Sequence, residues 1–216
     1  GQYLANLGQA LASEYGDRFL DMERTAAVAE LGAIGLERML EAIRADLDRI
    51  GVDFDVWFRE HSLFESGEYD DAMKLLAERG HTVQRDGAKW FASTALGEDK
   101  DNVLVRSSGE PTYFAADLAY HFDKFVERGF SRVIDVWGAD HQGHVARTKA
   151  GSEAVGAPAG RLDVLLFQLV HLRRGDERVR MSKRTGEIVS LRELIEEVGA
   201  DATRYFMLQR SADAQM

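Results

Sequence analysis

Between Phe114 and Leu172 the apolar pattern switches repeatedly between a helical period and β-branched runs, and this alternation limits the chain to an α/β architecture. Phe114 to Arg128 reads as a helix stopped by Gly129, and Arg132 to Trp137 as a strand. A second helical pattern follows from Val145 to Val155 and stops at Gly156. Leu162 to Leu172 is a long apolar strand that turns through Gly175 and Asp176 into Arg178 to Met181. Strands separated by helices have the crossover that parallel pairing requires, so a parallel sheet is expected. At the end of its first strand come Gly138, Ala139 and Asp140. Open α/β sheets bind ligands at the carboxyl ends of their strands. Gly138 lets the backbone approach a ligand there, and the Asp140 carboxylate can accept from ribose hydroxyls.

The first half carries a different pattern. Residues 9–23 are polar and irregular, whereas Val28, Leu31, Leu36, Met39, Leu40, Ile43, Leu47 and Ile50 mark one face of a long helix ended by Gly51. Phe54, Trp57, Phe58 and Phe64 form an aromatic cluster suited to packing, with His61 among them read as a structural histidine. Tyr69 to Arg79 is a short amphipathic helix closed by Gly80. Thr82–Arg85 and Ala88–Phe91 flank Asp86-Gly87, a strong hairpin signal, and Asn102–Arg106 adds a further strand before the Ser107–Pro111 loop. Near the C-terminus, Ser190 and Glu193 spell a capping box for a helix to Val198, and Asp201 is the expected N-cap of a last helix through Gln209.

Net charge is −10, but it is unevenly spread: residues 1–110 hold 12 Lys and Arg against 22 Asp and Glu, and residues 111–216 hold 15 against 15. The acidity therefore does not oppose a phosphate ligand in the second half, where Arg173, Arg174, Arg178, Arg180, Lys183 and Arg184 cluster. Zero cysteines exclude disulfides, thiolate catalysis and cysteine-ligated zinc. No apolar run of membrane-spanning length and no signal peptide is visible, so a cytoplasmic protein without a membrane partner is expected.

Three groups of residues could carry chemistry. Tyr113 and Asp117, four apart at a helix start, share one face, and a carboxylate beside a phenol suits a planar guanidinium. Asp140, His141 and His144 could together hold a metal. Val179 to Gly186 places Ser182 and Lys183 between Arg180 and Arg184 in a loop, where an ammonium charge could meet a phosphoryl group in its transition state.

Arg180, Met181, Ser182 and Lys183 resemble the Lys-Met-Ser-Lys signature of class I aminoacyl-tRNA synthetases. Tyr113 to His121 and Val136 to His141, with Asp99 to Arg106 before them, are similar to the arginyl-tRNA synthetase family in particular. The resemblance runs from about Tyr69 to Arg210 and continues more weakly upstream. It implies an α/β fold: the second half of a Rossmann-like class I synthetase nucleotide-binding fold, with a mainly helical, acidic insertion subdomain. Residues 1–110 would be that insertion with its small β-hairpin. Residues 111–189 would be the half-fold, and residues 190–216 a helical segment leading toward an anticodon-binding domain.

Carried over by resemblance, Tyr113, Asp117 and His141 bind arginine, with Asp117 facing its guanidinium. Gly138, Asp140, Met181 and Lys183 contact ATP, and Lys183, Ser182 and Arg180 act on the departing pyrophosphate. Arg180 replaces the family's lysine, keeping its charge without its compact shape. The implied partners are arginine, ATP with Mg²⁺ on its phosphates, and tRNA(Arg), acting on a monomer. His141 to His144 mimics the family's His-x-Gly-His motif but lies only 36 residues before Arg180, too close for the intervening half-sheet. The true motif is therefore expected upstream of Gly1, which makes the chain a fragment inactive by itself. Two alternatives compete: a metal-dependent hydrolase using Asp140, His141 and His144, and a non-catalytic interaction module built on the acidic helical half.

Overall fold

Helix α5 (Tyr113–Phe122) is apolar on most of its surface, and residues 56–170 assemble around it. The computed structural model describes residues 2–168, 170–178, 189–209 and 211. Contacts divide these into two compact units, residues 56–170 and residues 1–55 with 171–211.

In the unit of residues 56–170, α3 (Ser62–Glu65) leads into α4 (Glu68–Glu78), whose first turn carries Glu68, Asp70 and Asp71 where the helix dipole favours anions. Gly80, at φ +74°, ends that segment. Strands β1 (Thr82–Arg85) and β2 (Ala88–Phe91) pair from Thr82↔Phe91 to Arg85↔Ala88. Asp86 and Gly87 both take positive φ, the requirement of a tight two-residue hairpin. Strand β3 (Asn102–Val105) adds antiparallel to β2.

Leu63, Leu76, Phe91, Leu104, Leu118 and Val155 are fully buried in the core that α5 shares with α4, β3 and α6 (Val145–Ala154). Helix α5 is shorter than the predicted Phe114–Arg128, because the chain widens at Asp123 into a π-helical turn through Glu127. That turn carries Phe125 into a second small core with Val133, Ala157 and Leu162.

Strands β4 (Val133–Gly138) and β5 (Leu162–Phe167) are parallel, paired from Val133↔Leu162 to Gly138↔Phe167, with α6 as their crossover. Strand β5 stops short of the predicted Leu172 because β4 turns away at Gly138 and leaves it without a partner. Among the described residues this sheet has two strands, and Ile134, Val136, Leu165 and Phe167 remain exposed on it.

The other unit begins with α1 (Gln2–Tyr15) and α2 (Arg24–Asp48), joined by the ion pair Arg38–Glu14 at 2.9 Å, while Arg18 in the turn between them pairs with Glu30 of α2. Helix α1 occupies part of a stretch that reads as irregular. Its apolar stripe begins at Leu4 and Leu7, ahead of residue 9, so the later residues show only its tail. Glu23 caps α2 by accepting from the Ala26 amide. Strands β6 (Arg173–Arg174) and β7 (Glu177–Arg178) close a short hairpin through Gly175 and Asp176. Helix α7 (Leu191–Val198) carries the predicted capping box, and Arg192 reaches Asp46 of α2 at 2.8 Å. Helix α8 (Ala200–Gln209) starts two residues earlier than expected, which puts Asp201 in its first turn instead of at its N-cap.

The aromatic cluster packs in part: Phe58 stacks on Tyr120 with centroids 4.1 Å apart and Phe64 on Tyr69 at 4.6 Å, while Phe54 is exposed. His61 is an exposed side chain beside Glu65, not a buried structural one. No helix among the described residues is long and apolar enough to cross a membrane.

Candidate active site

A cleft of about 540 Å³ opens where α5, the end of β4, the 3₁₀ turn Ala139–His144 and the first turn of α6 converge. Thr112 sets one wall. Its hydroxyl donates to the Val103 carbonyl at 2.8 Å and accepts from the Ala115 amide, so it caps α5 and ties that end to β3. Tyr113, the first residue of α5, is 82% exposed at the mouth. Asp117 follows one turn later on the same face. Its carboxylate still reaches the solvent in the cleft, yet the surrounding protein desolvates it enough to push its carboxyl above the ordinary range. His121 and Lys124 pull it back down, while Glu60 and Asp135 add to the rise.

The opposite wall begins in β4, where Val136, Trp137 and Gly138 border the cleft. A Cβ built on Gly138 would lie 2.4 Å from Oδ1 of Asp140, so a side chain there would displace the Asp140 carboxylate. Asp140 stands beside the cleft without lining it, and its Oδ2 is 3.6 Å from Nε2 of His141. His141 lines the cleft, with its ring centroid 5.8 Å from that of His144 and 6.5 Å from that of Trp137.

Arg147, on α6, completes this wall together with Thr148. Its guanidinium lies over the Phe114 ring at 5.2 Å, donates to Oδ1 of Asn102 at 3.0 Å and contacts Nδ1 of His144. Its Nε is buried without a partner among the described residues, and burial lowers the guanidinium's pKa while Asp117 and Glu98 oppose that shift. The cleft thus sets one carboxylate and one guanidinium among aromatic surfaces, an environment matched to a ligand that carries both charges.

Of the residues singled out by sequence, Tyr113, Asp117, Gly138 and His141 meet at this cleft, and Asp140 sits next to it. Arg180, Met181, Ser182 and Lys183 lie outside the described residues. The metal-hydrolase alternative loses its site. His144 is turned to the Arg147 cation, and among the described residues no three His, Cys, Asp or Glu side chains could hold a metal ion.

Sequence reasoning did not single out Arg147 or His121 as functional, nor Asp135. The last had a visible signal: a carboxylate at an inward register position of a strand, in step with buried Val133. Asp135 accepts from His121 Nε2 at 2.9 Å and from Lys124 Nζ at 2.9 Å. Burial alone would raise its carboxyl, but the His121 hydrogen bond and the two cationic neighbours outweigh burial and hold it below the usual range.

The sequence pattern of the family described as tRNA synthetases class I (R), catalytic domain, matches residues 34–213. The chain is 56% identical over its full length to an arginine–tRNA ligase of Dehalococcoides mccartyi and 49% identical to one of Bacillus subtilis, spanning 39% of each. Among solved structures, a putative arginyl-tRNA synthetase from Campylobacter jejuni superposes with a TM-score of 0.88 at 30% identity, over all of this chain and 46% of that one. An arginyl-tRNA synthetase from Plasmodium falciparum superposes with a TM-score of 0.64 at 14% identity, over 99% of this chain and 40% of that one, a likeness of fold.

Proposed function

Since the chain belongs to the family of class I tRNA synthetases (R), over their catalytic domain, we propose that it forms part of an arginine–tRNA ligase and contributes the pocket for arginine. The chain spans 39% of the length of its curated relatives, so the complete reaction is proposed for the protein that contains it. The carboxylate of arginine attacks the α-phosphorus of ATP. A carboxyl–phosphorus bond forms as the bond to the bridging oxygen breaks, giving arginyl-adenylate and pyrophosphate. A ribose hydroxyl at the 3′ end of tRNA(Arg) then attacks the arginyl carbonyl, forming an ester as the bond to the adenylate oxygen breaks and AMP leaves.

The observation that supports this reading is the placement of Asp117 and Tyr113 on one wall, facing the Gly138–His141 turn across the cleft. Asp117 accepts from the substrate guanidinium, where two parallel hydrogen bonds to a carboxylate give both charge and shape selectivity. Tyr113 closes over the side chain and His141 lines the pocket. Gly138 lets adenosine approach the backbone, and Asp140 takes the ribose hydroxyls. Met181 and Lys183, with Ser182 and Arg180, belong to the phosphate side, where fixed positive charge stabilises the leaving pyrophosphate. Mg²⁺ enters on the ATP phosphates, in keeping with its preference for few protein ligands. The division into residues 1–110, 111–189 and 190–216 as insertion, half-fold and connecting helices is part of the same proposal.

The test is arginine-dependent ATP–pyrophosphate exchange in the full-length protein. Asp117→Ala should raise the KM for arginine at least tenfold, and Lys183→Ala should reduce kcat by roughly a hundredfold, as removal of one charge-stabilising donor does elsewhere. Exchange unchanged by both substitutions would remove the assignments.

A further inference from the structure

The helix that carries Asp117 and the strand that ends at Gly138 are joined beneath the cleft by one chain of charges. Lys124 Nζ donates to Oδ1 of Asp135 and His121 Nε2 to Oδ2, each at 2.9 Å. The other ring nitrogen of His121 lies 2.7 Å from the backbone carbonyl of Asp117. Both of the histidine's partners are acceptors, so the ring that satisfies them carries a proton on each nitrogen. His121 and Asp135 are buried, and the Lys124 ammonium sits over the Tyr120 ring at 4.2 Å. Two cations therefore flank one anion, and the histidine cation is the one hydrogen-bonded to the Asp117 backbone.

We propose that Lys124, Asp135 and His121 form a buried charged strut, whose histidine end positions Asp117 and supports its negative charge toward a cationic substrate side chain. The inference rests on the reading of the cleft as an arginine pocket. His121 touches no substrate and acts through Asp117, which makes it a positioning residue. The charged groups that face Asp117 are His121 and Lys124 from its own helix and the turn after it, Glu60 from the segment before α3, Asp135 from β4 and Arg147 from α6. The two acids disfavour its ionisation and the cations favour it. Substituting His121 removes a cation that is also hydrogen-bonded to the Asp117 backbone.

In the full-length enzyme, His121→Gln should raise the KM for arginine by roughly ten- to a hundredfold, the scale of a misplaced binding group. The KM for ATP should stay within about twofold. The acid limb of kcat/KM for arginine should move to higher pH, because the protonated form of Asp117 is no longer opposed. Lys124→Met should move that limb in the same direction, and Lys124→Arg should leave it in place, so the test survives if His121→Gln does not fold. An acid limb unmoved in the folded variants, with all kinetic constants falling together, would overturn the strut. Nitrogen-15 spectra of the full-length protein should show both ring nitrogens of His121 protonated, and a single protonated nitrogen would overturn it whatever the enzyme's activity. A wild-type protein without arginine-dependent exchange would instead sink the functional reading, while the spectrum would still decide the strut.

Discussion

Asp117 must be ionised to hold a cation, and its surroundings work against that. Desolvation raises its carboxyl first, with Glu60 and Asp135 in support, and His121 and Lys124 counteract it. The sign of the resulting pH dependence follows: as pH falls, Asp117 takes up its proton earlier than an ordinary aspartate does, and under the proposed function arginine binding is lost with it. The KM for arginine should therefore rise on the acid side from a higher pH than the usual aspartate range, and Asp117→Asn should abolish that limb. Asp117 was legible in the sequence through its spacing from Tyr113, which a helix turns into a shared face. Arg147 was not, because its relation to Asp117 and Phe114 exists only once α6 is packed beside α5. Asp135 had its signal in the strand pattern, but its partners, His121 and Lys124, are set by the fold.

Elements whose signals are local were read directly: the Asp86-Gly87 hairpin, α4 with its glycine stop, and the capping box of α7. Elements that depend on a partner were misjudged, as with β5, whose apolar run outlasts its pairing, and α5, which widens into a π-helical turn. The contact between α5 and α6 gives a test at this scale. A Cβ at Gly151 would lie 2.4 Å from Cδ2 of the fully buried Leu118, so the two helices approach through the space a side chain would need. Alanine there would gain about 1 kcal/mol in helix propensity. Overpacking against Leu118 costs about 1–3 kcal/mol. Gly151→Ala should accordingly lower stability by about 1 kcal/mol in urea unfolding, whereas Gly143→Ala, with open space around it, should show no such clash.

For the molecule as a whole, the two units differ sharply in how much they bury. Among the described residues, the unit of residues 1–55 and 171–211 buries only Leu11, Ala27, Ile195 and Thr203, whereas residues 56–170 hold both apolar cores. Local opening follows the density of buried contacts. Native-state hydrogen exchange should therefore find α5, β2 and β3 the slowest segments and α1 and α2 far faster. Comparable protection across both units would contradict this. The α/β alternation was legible at this scale, because a parallel pair leaves its crossover helix in the sequence, while the division of burial was not. Gly151 also bears on descent. It meets no part of the cleft, yet it governs how closely the helix carrying Asp117 approaches the helix carrying Arg147. A lineage that replaced it would therefore press on Leu118 and on the spacing of the two helices while leaving every cleft-lining side chain as it was inherited.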